Sequence, residues 1–316
     1  MTFREAYNEW KPMKQRFVKK STMAAYIVIS QNHLLPFFGD LPAEKIDKKT
    51  VQKFVDMKLD AGLSKKTVKD FLIVLKMIVR FVEEEYGIPV VDRWNIVFPT
   101  KNLDDEKKLE RYTQEDFRKI TETAFAYPSP TNLAILITIT SGMRIGEICA
   151  LQFCDIDLER KVFRISRTIE RIYIIDEETG RRWTELIVNP PKTSSSRREI
   201  PIMRDIYPMV KKFASIARPE YYVATMTEHP TEPRTFRNHY RDFILNKAGL
   251  KACIKYHGLR HTFASILIEN KVDVKTVSTI LGHSDISTTL NVYVHPTENM
   301  KRDAINGALK KAFKKI

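Results

Sequence analysis

The sequence predicts a mainly α chain with a small antiparallel β-sheet, divided into a helical N-terminal unit and a mixed α/β unit. Three observations carry this. Through the first hundred residues apolar side chains recur at three- and four-residue spacing, the period of a helix with one buried face. Alternation of apolar and polar residues, the period of a half-buried strand, is confined to short segments between about 161 and 202. A charged stretch with no apolar face lies between the two regimes.

In the first unit, segments around 22–35 and 47–60 have helical spacing, with Pro36, Gly39 and Pro42 between them. Ser64 is placed to cap a third helix, which carries Val68, Phe71, Leu75, Ile78 and Val82 as one stripe. Gly87 stops it and Pro89 follows. The expectation is a four-helix unit over 1–97. The connector is placed at 98–111, through Asp104-Asp105-Glu106-Lys107-Lys108. The second unit is then expected over 112–316, opened by Thr113-Gln114-Glu115-Asp116, whose spacing is that of a capping box.

Helical patterns in the second unit fall at about 113–126, 131–140 and 144–152. The segments 161–165 and, in part, 185–188 read as strands, with Asp176-Glu177-Glu178-Thr179-Gly180 as a hairpin tip and 198–202 as a third strand. Helices return at about 204–217, 234–247, 258–270, 273–281 and 287–293. An apolar stripe of Met300, Ala304, Ala308 and Ala312, with Ile305, Leu309 and Phe313 beside it, marks a terminal amphipathic helix within 298–316.

The 316 residues suffice for about two domains, and 43% hydrophobic content supports a sizeable core. No apolar run approaches the roughly 20 residues that span a bilayer, and no apolar leader with a cleavage site follows Met1, so no membrane partner is expected. Three cysteines, Cys149, Cys154 and Cys253, form no paired framework and no Cys-x-x-Cys spacing. That fits a reducing cytoplasm without structural zinc, with Cys149 and Cys154 as small core residues. The formal net charge is +14. An excess of this size favours a polyanion, because binding releases condensed counterions. The first hundred residues hold 17 basic and 12 acidic side chains, so both units share the excess.

The chemistry is carried by a constellation spread over the second unit. Arg144 lies in Ser141-Gly142-Met143-Arg144-Ile145-Gly146-Glu147. His257-Gly258-Leu259-Arg260-His261 and Leu281-Gly282-His283 follow, and then Tyr293. His257 and Arg260 are three apart, so one helical turn brings them together. A phenol, with a pKa of about 10, is a weak nucleophile at neutral pH and needs a proton acceptor or a positive field. A phosphodiester repels it, and guanidinium forks on the non-bridging oxygens offset that repulsion most at the transition state. The departing 5′ oxygen needs a proton. Two arginines, two histidines and a late tyrosine supply candidates for these needs. No nucleotide-binding loop of the Gly-x-x-x-x-Gly-Lys type is present.

With these residues in view, the chain resembles the tyrosine recombinases, or phage integrase family. The resemblance is specific at residues 140–151 (TSGMRIGEICAL), 257–265 (HGLRHTFAS) and 281–295 (LGHSDISTTLNVYVH), and looser in the first unit. It implies a helical N-terminal core-type DNA-binding domain, a mixed α/β catalytic domain and a terminal helix exchanged between subunits. It implies that Arg144 and Arg260 grip the phosphate and that His257 and His283 complete the site. Glu147 supports Arg144, and Tyr293 is the nucleophile. A lysine on a β-hairpin turn, here Lys192, protonates the leaving oxygen; Lys161 is the weaker match. No metal and no cofactor are required.

The implied activity is site-specific cutting and rejoining of DNA through a 3′-phosphotyrosyl link, by a mobile-element integrase. Chromosome-dimer resolution is the alternative, with a type IB topoisomerase or a non-catalytic DNA binder more distant. The implied partners are double-stranded DNA recombination sites, held in a clamp, and three further copies of the chain in a tetramer on two sites. Accessory DNA-bending factors are a further partner class in the family. Candidate DNA-backbone contacts are Thr22, Lys65, Lys66, Lys69, Arg197, Arg198 and Arg237.

Three departures stand out. Gly258 occupies a position that is Asp in many relatives, a change expected to loosen a supporting hydrogen bond but to remove no catalytic group. Residues from about 168 to 185 lengthen the hairpin. The helical unit is read from Met1 onward, so the separate arm-type DNA-binding domain of some integrases is not expected in this sequence, whether lost or removed.

Overall fold

The computed structural model describes residues 1–90, 93–99, 110–176, 178–190, 196–293, and 302, 305 and 306; for 291–293 it describes the backbone alone. These fall into two units. One comprises Met1–Glu106 with Arg171–Glu185, the other Lys107–Glu170 with Leu186–Ile316. The division corrects the sequence-based domain boundaries at one point: the distal hairpin, Arg171–Glu185, groups with the first unit although it lies in the middle of the second in sequence.

The first unit begins with α1 (Phe3–Gln15), which the spacing rules passed over. Thr2 and Glu5 form a reciprocal capping box at its start. Its buried face is Phe3, Ala6, Tyr7 and Trp10, while Pro12 interrupts the hydrogen-bond ladder in its last turn. α2 (Lys20–Ile29) passes through a π-helical turn at Ser30–Leu34 into the short α3 (Leu35–Phe38). α4 (Lys48–Asp60) starts on the Asp47 cap, and α5 (Lys65–Tyr86) on the Ser64 cap, whose hydroxyl accepts from the Thr67 N–H. α5 buries Val68, Phe71, Leu75, Ile78 and Val82, as their spacing requires, and ends at Gly87 with φ +63°. Phe38, Phe54 and Phe71 lie between these helices, Phe38 and Phe54 with ring centroids 5.0 Å apart.

The second unit opens with α6 (Gln114–Ala126), behind the Thr113/Asp116 capping box, and α7 (Pro130–Ser141). α7 is buried almost all round, through Leu133–Ile139, and forms the central helix of this core. Gly142 closes it with φ +66°. The short α8 (Ile145–Ala150) follows. Cys149, on α8, is buried as expected, but Cys154, four residues beyond the helix, is exposed.

Strands β1 (Ile156–Asp157), β2 (Val162–Ile165), β3 (Thr168–Ile175), β4 (Arg182–Asn189) and β5 (Arg198–Pro201) form two sheets rather than one. β2 is central in an antiparallel trio with β1 and β5, pairing Phe163 with Ile200 and Ile165 with Arg198. β3 and β4 make the long hairpin, whose tip is tied by Asp176 Oδ1 accepting from the Glu178 and Thr179 N–H groups. In the first unit Lys20 pairs with Glu185 of this hairpin at 2.6 Å.

The remaining helices are α9 (Tyr207–Ile216), α10 (Pro233–Asp242), α11 (His257–Glu269), α12 (Val274–Leu281) and α13 (Ile286–Tyr293). α11 packs on α7, where the Tyr256 and Thr138 hydroxyls meet at 2.5 Å. α12 is seated on α11 through Ala264, Val277 and Leu281. Among the described residues no helix is long and apolar enough to cross a membrane.

Candidate active site

The site is assembled where helices end and begin. α7 stops at Gly142, and two residues later Arg144 starts α8. α12 stops at Gly282 (φ +66°), and His283 follows. α11 starts at His257 and carries Arg260 in its first turn. The last carbonyls of a helix lack partners within it and carry partial negative charge, so they attract guanidinium groups. Arg260 donates from Nη1 to the Gly142 carbonyl and from Nη2 to the Leu281 carbonyl, both at 2.8 Å. Arg144 donates from Nη2 to the Gly282 carbonyl at 3.0 Å. Residues far apart in sequence are thereby held in one place.

Gly142 must be glycine for two reasons. Its φ is positive, and a Cβ would come within 2.7 Å of Phe263 and 2.8 Å of Leu281. Gly146 is equally constrained, since a Cβ there would meet the Thr168 hydroxyl at 2.4 Å and the Ile169 carbonyl at 2.6 Å. Gly258 sits on Ile254 and near the Glu110 carbonyl, with no room for a side chain as these groups stand. The departure seen in the sequence is thus matched by local packing.

A cleft of about 610 Å³ opens at this junction, lined by Arg144, Glu147, Thr168, Ser196, His257, His283 and their neighbours. Arg144 is 36% exposed and faces it. Glu147 is 4% exposed and holds Arg144 twice, through the backbone N–H and Nη1, each at 2.8 Å. Burial would raise the Glu147 carboxyl, but hydrogen bonds and charge from Arg198, then Arg144, prevail and keep it below the usual carboxylate range. Arg260 is 1% exposed and does not line the cleft. A direct grip on phosphate by both arginines was the sequence expectation; in this structure only Arg144 opens onto the cleft.

Both site imidazoles are neutral at physiological pH. His257 keeps one side on the cleft, yet desolvation, His261, Arg260 and Arg144 push it down to about 4. The His261 ring meets it edge-on, 4.6 Å between centroids. His283 is likewise pushed down to about 4, by desolvation first and then by Arg260, Arg144 and Arg198. Its Nδ1 is 2.8 Å from the hydroxyl of the buried Thr289. Thr289 was not singled out by the sequence reading, and its place six residues after His283 gave no signal.

Tyr293 is the last residue of α13, which packs on α11 and α12; its side chain lies outside the description. Lys192 also lies outside the described residues, as does the terminal helix expected over 298–316 apart from Arg302, Ile305 and Asn306. Lys161, the weaker lysine, stacks over the Tyr207 ring at 5.2 Å and is not on the cleft.

The candidate DNA contacts divide. Lys65, Lys66 and Lys69 are exposed on the first turns of α5, and Lys65 and Lys69 both stand 5.4 Å from the Phe98 ring. Thr22 is half-buried on α2; Arg197 and Arg237 are exposed. Arg198 is a correction. It is 5% exposed and is turned inward onto Glu147, so it cannot reach a DNA backbone in this conformation. Among the described residues no three His, Cys, Asp or Glu side chains gather as a metal site.

Comparison with known proteins agrees with this architecture. The family model described as the phage integrase family matches residues 110–300, and that of the phage integrase N-terminal SAM-like domain matches residues 2–59. The chain belongs to the phage integrase family, the tyrosine recombinases. It is 30% identical to a tyrosine recombinase XerC-like protein of Caldanaerobacter subterraneus subsp. tengcongensis, over 81% of this chain and 68% of that one. It is 27% identical to the integrase of Staphylococcus phage L54a, over 87% and 80%. Among solved structures, the Tn1549 transposon integrase in complex with transposon right end DNA superposes with a TM-score of 0.74 at 21% identity. That match covers 97% of this chain and 99% of that one, and shows a shared fold.

Proposed function

We propose that the protein is a site-specific DNA recombinase that integrates and excises a mobile element by transesterification. The observation that carries the reading is the cleft on which Arg144, His257 and His283 converge, with Arg260 immediately behind, in a chain whose family match spans the whole arrangement.

Tyr293 attacks the scissile phosphorus. The O–P bond to the tyrosine forms as the bond to the 5′ oxygen breaks, giving a 3′-phosphotyrosyl link and a free 5′ hydroxyl. Arg144 meets a non-bridging oxygen from the cleft wall, and Arg260 adds its charge from behind. His257, neutral at the cleft, is an available acceptor for the phenol proton. Lys192 delivers a proton to the leaving oxygen. A 5′ hydroxyl of the partner duplex then reverses the step on the new strand. One phosphoester replaces another, so no external energy source is needed. Lys65, Lys66, Lys69, Arg197 and Arg237 are phosphate contacts that position the duplex. Four copies act on two sites in the cytoplasm, with the terminal helix as the exchanged segment.

The mobile-element role is supported by relatives such as the phage L54a integrase and the ICEBs1 integrase of Bacillus subtilis. The relative named XerC-like supports chromosome-dimer resolution as the second reading. Mapping the junctions made in cells separates them: junctions between an element end and a target support integration, whereas resolution at one chromosomal locus alone overturns it. A nicked duplex carrying the mapped core site then tests the chemistry. Wild type should trap a covalent adduct and Tyr293→Phe none; an adduct formed by the variant would remove Tyr293 from the role.

A further inference from the structure

Arg198 lies outside the groups assigned to the chemistry, yet it is bound on every side. Its Nε donates to the Ile280 carbonyl at 2.6 Å. Nη1 donates to Glu147 Oε1 at 3.0 Å and to the Ser196 carbonyl at 3.1 Å, and Nη2 donates to Glu147 Oε2 at 2.9 Å. Glu147 therefore sits between two guanidinium groups, with Arg144 on the cleft side and Arg198 on the buried side.

This arrangement answers an electrostatic problem. A carboxylate is a good clamp for Arg144, because it fixes the planar fork. The same carboxylate lines the cleft and would repel a phosphodiester entering it. Arg144 and Glu147 alone sum to zero charge; Arg198 raises the trio to +1. The bond from Arg198 to the Ile280 carbonyl also seats the end of α12, two residues before the Gly282 carbonyl that Arg144 holds. One buried side chain thus bears on the orientation of Arg144 and on the segment that leads to His283.

We propose that Arg198 is a positioning residue that acts through Glu147, cancelling its charge and fixing it so that Arg144 presents an unopposed positive charge to the scissile phosphate. The inference rests on the reading of Arg144 as a phosphate ligand. It assigns Arg198 an indirect role and no contact with DNA.

The test uses the full chain, single-turnover cleavage of the nicked duplex carrying the mapped core site, and DNA affinity by gel shift. Arg198→Met should slow cleavage by about tenfold or more while affinity changes by about twofold or less, because the loss falls on the chemical step. Adding Glu147→Gln to Arg198→Met should restore cleavage to within about threefold of wild type, since no uncancelled carboxylate remains at the cleft. Arg198→Lys, which keeps the charge and loses the fork, should lie between wild type and Arg198→Met.

Cleavage by Arg198→Met at the wild-type rate overturns the proposal. So does a folded double variant as slow as Arg198→Met, which would make Arg198 a residue of the fold only. If Arg198→Met alone does not fold, the double variant decides, because it buries no unpaired charge. Arg144→Ala and Tyr293→Phe serve as controls. Should they cleave normally, the reading of the site fails; should they be inactive while Arg198→Met is unaffected, only this inference fails.

Discussion

Arg260 donates a 2.8 Å hydrogen bond to the carbonyl of Gly142, 118 residues earlier in the chain. The contact joins the start of α11 to the end of α7. It depends on Gly142 holding a backbone conformation that other residues avoid, with φ +66°. Site geometry and local stability are therefore coupled at this glycine.

Gly142→Ala should destabilise the protein by about 1–3 kcal/mol, from the strained backbone and the contact with Phe263. Cleavage should fall as well, because the carbonyl that Arg260 holds is displaced. Denaturant unfolding and single-turnover cleavage measure the two effects. Wild-type values in both would show that the turn tolerates a side chain.

Gly258→Asp should cost about 1–3 kcal/mol, because the new Cβ would stand 2.3 Å from Ile254 Cδ1. Shortening the obstacle relieves it: in an Ile254→Val background the same change should cost less. Equal cost in both backgrounds would place the strain on the groups that the change leaves standing, the Cγ1 of residue 254 at 2.8 Å and the Glu110 carbonyl at 3.2 Å.

Thr289→Val keeps the shape of a buried side chain and removes the hydroxyl beside His283 Nδ1. Leaving that nitrogen without its partner should slow cleavage by about tenfold, the equivalent of one lost hydrogen bond of about 1.4 kcal/mol. Thr289→Ser should retain the wild-type rate. Indifference to both changes would remove Thr289 from the site.

The two site imidazoles give a pH dependence of defined sign. Each is lowered from 6.5 to about 4 in the folded protein, so the native state binds fewer protons than the unfolded chain between those values. Stability should then be level above pH 6.5 and fall as pH drops toward 4. Ring-nitrogen NMR should find both histidines neutral at pH 6 in the free protein. A bound phosphodiester brings negative charge and should raise both values. Titration of either ring near 6.5 without DNA would contradict the burial argument.

Helices with one clean stripe were legible in the sequence. α5 shows its cap, its apolar face and its terminal glycine in order, and Gly142 and Gly282 mark helix ends by residue type alone. α1 was missed although its stripe of Phe3, Ala6, Tyr7 and Trp10 and its Thr2/Glu5 cap both stand in the sequence ahead of Pro12. The hairpin of β3 and β4 was underread because β4 lacks strict alternation: Arg182, Trp183 and Val188 are exposed, the rest are half-buried, and no face is fully covered. Arg144, Glu147, His257, Arg260 and His283 were legible as motif residues, and the structure brings them to one junction. The role of Arg198 was not legible. Arg197 lies on the bend before β5 and is exposed, whereas Arg198 is the first residue of the strand and turns inward, and nothing local in the sequence says which of the two adjacent arginines does so. Its partner Glu147 lies 51 residues away on another element.

The grouping of Arg171–Glu185 with Met1–Glu106 means that the polypeptide passes between the two units three times, after residues 106, 170 and 185. A protease cutting once in the connector would leave the hairpin on one piece and the residues it groups with on the other, with Lys20 and Glu185 on different pieces. A recombinant fragment begun at residue 107 would carry Ile172, buried in the whole molecule, on a hairpin stripped of its neighbours. Fragments of this enzyme are better made by shortening that hairpin than by dividing the gene at its middle.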